Sequence, residues 1–273
     1  MKIKAIIFIF LSFLLAQAEY QVLTTPKNLF ELSTNRSSPY LNNSTNYTFS
    51  LIQYPADIKM YNFKIKNYSI SILDYGIFED RLHDVLYKTF SAQEMLIEYS
   101  YNYDIRNLKF KILTGLYYSN IYNYSALGIN NSFGLNVSLK KINSLLELSI
   151  ENIGYMLKHY TAYNTATPLK YRFAFNKNFD SFILGYNLLY SKNNYEYQHI
   201  LYLELLISDK VKLRLSNTDY LRDLFIEDND YNFLSGLGMG IGLDLKPISI
   251  DIGYVNLGIS GVAYGVSLHF MGN

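Results

Sequence analysis

From residue 47 to residue 270 the chain is a succession of segments in which apolar and polar residues alternate, each bounded by turn formers such as Asn, Asp and Gly. Leu108, Phe110, Ile112, Thr114 and Leu116 share one parity, and Lys109, Lys111 and Gly115 share the other. Phe133, Leu135, Val137 and Leu139 oppose Gly134, Asn136, Ser138 and Lys140, while Leu146, Leu148 and Ile150 oppose Glu147, Ser149 and Glu151. Val211, Leu213 and Leu215 oppose Lys212 and Arg214, and Ile248, Ile250 and Ile252 oppose Ser249 and Asp251. Successive side chains leave a strand on opposite faces, so a period of two predicts strands with one apolar face. About fourteen are expected, an even number as in single-chain bacterial barrels. They fall at 47–53, 58–66, 68–73, 95–103, 108–118, 133–141, 145–153, 169–176, 182–190, 195–206, 211–217, 233–245, 248–257 and 262–270.

A soluble sandwich would show the same alternation. The connections favour another architecture. Tight turns at Lys66-Asn67, Asp104 to Asn107, Ile142-Asn143, Ser208-Asp209 and Lys246-Pro247 alternate with long gaps at 76–94, 120–131, 154–167 and 218–232. Short turns on one side and longer loops on the other are how outer-membrane barrels are built, with the short side in the periplasm. The expected fold is therefore all-β: a transmembrane, antiparallel, up-and-down barrel with short periplasmic turns and longer extracellular loops. Phe78, Leu82, Val85, Leu86 and Phe90 have near-helical spacing and predict a short helix within the first long loop.

The beginning of the chain agrees with that location. Lys2 and Lys4 precede an apolar run from Ile6 to Leu15, and Ala16-Gln17-Ala18 gives a small-x-small cleavage pattern before Glu19. Residues 1–18 read as a signal peptide cleaved between Ala18 and Glu19, 19–45 as a periplasmic arm or plug, and 46–273 as the barrel in the bacterial outer membrane. Zero Cys excludes disulfides and thiol chemistry. Zero Trp leaves 28 Tyr and 17 Phe to form interfacial girdles. A net charge of +1 without a basic stripe gives no case for nucleic acid.

No catalytic, metal or cofactor site is expected. His83, His159, His199 and His269 lack metal-ligand spacing, and no nucleophile is marked beside them. Gly236, Gly238, Gly240 and Gly242 recur with period two and no helix start follows, so they read as a strand face open to close approach by a plug or a neighbouring side chain. Parity places Lys109, Lys111, Lys140, Glu147, Glu151, Lys170, Arg172, Lys212, Arg214 and Asp251 toward the lumen. Mixed charges there are expected to pair across a plugged interior, a water-filled pore being the other reading.

Several runs resemble the PorV/PorQ family. Asn46 to Ser50, Tyr54 to Ile58, Leu73 to Gly76 and Phe90 to Glu94 look like its opening strands. Gly115 to Ser119, Ala126 to Phe133, Glu151 to Gly154 and Thr167 to Arg172 are similar to its middle, and Leu234 to Gly238, Asp251 to Tyr254 and Asn256 to Gly258 to its end. The front departs from the family, whose members usually carry a longer Gly- and Ala-rich segment. The resemblance implies a fourteen-stranded barrel related to the fatty acid transporter FadL, acting without catalysis as a scaffold in type IX secretion. Its implied partners are outer-membrane lipid and secretion components or secreted cargo. A FadL-like passive channel for hydrophobic small molecules is the alternative.

Overall fold

The computed structural model describes residues 20–35, 47–82, 85–160, 167–192, 195–219 and 234–270, the side chains of 80–88 and 259 excepted. The expected signal peptide and its Ala18/Glu19 cleavage point lie outside these residues. Fourteen antiparallel strands form one closed barrel. In chain order they are β1 (Tyr47–Gln53), β2 (Lys59–Ile65), β3 (Tyr68–Leu82), β4 (Val85–Ile105), β5 (Leu108–Ile121), β6 (Tyr124–Leu139) and β7 (Ser144–Lys158). They continue with β8 (Lys170–Asn178), β9 (Phe182–Ser191), β10 (Glu196–Ser208), β11 (Val211–Thr218), β12 (Gly238–Asp244), β13 (Ile248–Asn256) and β14 (Val262–Phe270). Each pairs with its chain neighbours, and β1 closes on β14 with Ser50 opposite Ser267. Closure leaves no edge with unpaired backbone groups, the condition for spanning lipid with strands.

Parity sorts the two faces. Ile70, Ile97, Ile112, Leu148, Phe173 and Ile252 are exposed on the outer wall. Tyr47, Tyr68, Tyr103 and Phe270 ring the end where the tight turns lie, and Tyr118, Tyr171, Tyr197 and Tyr264 ring the opposite, loop end. Tyrosine thus supplies both interfacial belts, its hydroxyl meeting water while its ring stays against lipid.

Two of the expected loops are strand. β3 runs on to Leu82 and β4 starts at Val85, in place of a loop helix, and β5 and β6 continue through 120–131 to leave only Tyr122-Asn123 between them. The apolar spacing in 78–93 is met by cross-strand pairing: Phe78 lies opposite Phe90 with ring centroids 5.3 Å apart. At 21 residues, β4 has about twice the 9–11 residues that cross a bilayer. The wall is therefore tall over β3–β7 and short elsewhere.

A barrel of fourteen strands is too wide for its own wall side chains to fill, since about eight strands mark that limit. Residues 20–35 lie inside it. Two short helices, α1 (Gln21–Thr24) and α2 (Leu29–Ser33), carry fully buried Val22, Leu29 and Leu32. α1 packs on β3 and β4, and α2 on β11 to β14.

Candidate functional site

The lumen has two layers. Toward the loop end, Ile52, Met60, Leu73, Leu96, Tyr117 and Val255 of the wall enclose Tyr20, Val22, Leu23, Leu29 and Leu32 in one apolar cluster. The rings of Tyr20 and Tyr117 stand 4.8 Å apart. Toward the turn end the wall is polar, and there charges meet.

Arg214 of β11 donates to Glu204 of β10 at 2.7 Å and to Asp251 of β13 at 2.6 Å. To reach Asp251 it crosses β12 at Gly242, where a Cβ would lie 2.7 Å from Asp251 Oδ1 and 3.0 Å from Arg214 Nη2. His269 Nε2 lies 3.0 Å from the other Asp251 oxygen, and its Nδ1 lies 3.1 Å from Thr48 Oγ1. One chain of bonds therefore joins strands from β10 round to β1. A second pair, Arg172 and Glu151, is bidentate at 2.8 and 3.2 Å with both side chains almost wholly buried. Asn176 donates to Glu147 at 2.8 Å. Buried charge survives in such company because each is paired and hydrogen-bonded.

Glu151 points inward beside Asn152, breaking strict alternation. Between Asn131 and Phe133 the register shifts, β7 carrying one extra residue, and Asn152 takes φ of 61°. The bulge turns the Asn152 amide into the lumen, where it donates to Pro168 O at 3.2 Å and Leu23 O at 3.5 Å.

The inner segment is bonded to the wall on several sides. Val22 N–H donates to Glu94 at 2.8 Å, Lys27 Nζ to Glu98 at 2.6 Å and Leu29 N–H to Ser267 Oγ at 2.9 Å. Ser216 Oγ donates to Ser33 O at 2.8 Å, and Asn35 donates to both Ser216 Oγ and Gly236 O at 2.8 Å. Asn28 caps α2 by accepting from Glu31 N–H, while the Glu31 carboxylate accepts from Lys27 N–H and Asn28 Nδ2. Burial pushes the Glu31 carboxyl up to about 7, against the lowering effect of those bonds and of Lys27.

Glycines set how closely α2 approaches. A Cβ on Gly240 would meet Ser33 Cβ at 2.6 Å, and one on Gly253 at 3.1 Å. Gly238 and Gly240 share that lumen face with Gly242, whereas Gly236 lies before the strand with φ of 81°.

Of the ten charges read toward the lumen, Lys111, Glu147, Glu151, Arg172, Arg214 and Asp251 are buried. Lys170 and Lys212 are half-buried on β8 and β11. Lys109 sits at the turn-end rim, 3.6 Å from Asp104. Lys140 falls in a 3-10 turn, Lys140–Ile142, and not on the β6 face, because the strand ends one residue earlier. Glu94, Glu98, Glu204 and His269 were missed. Parity marks them too: Ile97 and Tyr99 flank Glu98, and Leu268 and Phe270 flank His269. Lys27 and Glu31 carry no such signal, their position being tertiary.

No family model matches the chain, and no curated protein matches it. Among solved structures, the Pseudomonas putida toluene transporter TodX is similar with a TM-score of 0.51 at 8% identity, over 96% of this chain and 97% of that one. A Pseudomonas aeruginosa FadL homologue gives 0.49 at 9%, over 92% and 99%. KdgM porin gives 0.38 at 10%, over 83% and 99%. At this identity the likeness to TodX concerns fold. The chain is a closed fourteen-strand β-barrel like those of bacterial outer-membrane proteins.

Proposed function

We propose that this chain is a non-enzymatic outer-membrane barrel of PorV/PorQ type, a scaffold on which cargo or partners of type IX protein secretion are held. The filled lumen carries the reading. In it, residues 20–35 act as a resident plug, following a leader cleaved between Ala18 and Glu19, and the inward charges brace the wall around it. Withdrawing the plug would strand Glu94, Glu98 and several buried hydroxyls and amides, each costing on the order of 1–3 kcal/mol. A barrel occupied in this way works at its rim, and the tall β3–β7 wall offers the largest rim surface. The choice of that family rests on the runs from Glu151 to Arg172 and from Leu234 to Gly258, which resemble it. Deleting the gene tests the idea: surface proteins bearing the secretion system's C-terminal domain should be lost, and their undiminished display would contradict it.

One observation favours a second reading, a passive channel for hydrophobic small molecules. The loop-end half of the lumen is apolar, and the fold resembles that of the toluene transporter TodX. Liposomes carrying the purified barrel would then take up a fatty acid faster than empty ones.

A further inference from the structure

Two cavities open on the same stretch of wall, β8–β10, one from each end of the barrel. The loop-end cavity, about 310 Å³, is lined by Tyr54, Arg172, Leu189, Ser191, Gln198 and Ile200. The turn-end cavity, about 510 Å³, is lined by Asn143, Asn176, Asn178, Ile183, Tyr202 and Glu204. The inner segment packs chiefly on β3–β4 and β11–β14, which leaves this side of the lumen the least filled.

Between the cavities, Asn187 of β9 lies level with Ala174 of β8 and Ile200 of β10. Asn187 is fully buried, and neither its Oδ1 nor its Nδ2 has a hydrogen-bond partner among the described residues. Two inward levels above, past the buried Leu189, Ser191 Oγ borders the loop-end cavity, as does Tyr54 Oη, and both are likewise buried without a partner among the described residues. One level below, Tyr202 lies opposite Gly185, its ring occupying the space a Cβ there would need, and its hydroxyl donates to Asn176 Oδ1 at 2.6 Å. Buried amides and hydroxyls in folded proteins are satisfied by protein or by ordered water. Asn187 between the cavities, and Ser191 and Tyr54 at the loop-end one, call for water.

We propose that a file of water passes the inner segment along β8–β10, from the loop-end cavity through the level of Asn187 to the turn-end cavity, and that it conducts small monovalent ions. Tyr202 is its narrowest point: the ring lies over Gly185 immediately above the turn-end cavity. The path is too narrow for cargo or a folded domain, so it stands or falls apart from the scaffold reading.

The test is conductance of the purified full-length protein in planar bilayers in KCl. The wild type should show a small steady conductance above the bare bilayer. Asn187→Leu should lower it at least tenfold, Tyr202→Ala should raise it several-fold, and Tyr202→Phe, which keeps the ring, should stay within about twofold of wild type. Asn62→Leu, on β2 across the lumen, should leave it unchanged. A wild type as silent as the bare bilayer overturns the proposal, and that reading needs no variant to fold. A conductance that survives Asn187→Leu in protein retaining heat-modifiable gel migration overturns it equally.

Discussion

Ser33 of the inner segment stands against Gly240 of β12 so closely that a Cβ on the glycine would be 2.6 Å from the serine Cβ. Contacts at that range exist only where one partner lacks a side chain. Gly240→Val should force α2 off the wall and lower stability by about 1–3 kcal/mol, the usual cost of overpacking. The outward neighbour Ile241→Val should lose much less, and urea unfolding from detergent or vesicles compares the two.

Arg214 spans β12 to bind Glu204 and Asp251 together. Arg214→Met should cost about 3–5 kcal/mol, because it leaves two carboxylates buried with one fewer cation. Adding Glu204→Leu should restore part of that loss. A double-mutant cycle by denaturant unfolding reads the coupling.

Leu148 faces outward at mid-strand, opposite Leu135 and Phe173. Leu148→Arg should destabilise the barrel by roughly 2–4 kcal/mol in lipid. Asn136→Arg, inward and paired in register with Glu147, should cost far less. Unfolding in phosphatidylcholine vesicles measures both.

The strands and many of the inward charges were legible because lipid and lumen demand opposite side chains from a structure whose period is two. Leu108 to Leu116 illustrates it: Phe110, Ile112, Thr114 and Leu116 are exposed on the outer wall while Lys111 is buried on the lumen side. Legibility failed where a second reading fitted equally well. Phe78, Val85 and Phe90 have helical spacing, yet β3 and β4 pair antiparallel and stack Phe78 on Phe90. The Asn152 bulge was hidden because one extra residue leaves no mark on the polar count around Glu151. Lys27 meets Glu98 across 71 residues, a contact only the closed barrel creates. The glycine face was readable, and its division of labour was not: Gly240 receives Ser33, while Gly242 lets Arg214 through.

The Glu31 carboxyl gives a pH dependence of defined sign. Its level in the folded protein, about 7, lies above the ordinary 4.5, so the folded state holds the proton more tightly. Docking of the inner segment should be strongest below pH 4.5, weaken as pH rises through 7 and then level off. Glu31→Gln should flatten that slope. Protease protection of the segment between pH 5 and 8 reads it.

The central claim is that residues 20–35 occupy the lumen, and the cysteine-free chain allows a direct measurement. In Ser33→Cys/Gly253→Cys the two Cβ positions lie about 3.1 Å apart, a few tenths of an ångström short of the usual 3.5–4.5 Å disulfide range, so a small outward relaxation suffices. In protein folded into membranes, oxidation should close an intramolecular disulfide nearly completely, seen as a shift in unreduced gel mobility after denaturation. Free thiols at both positions after oxidation, both open to a membrane-impermeant maleimide, would contradict the account.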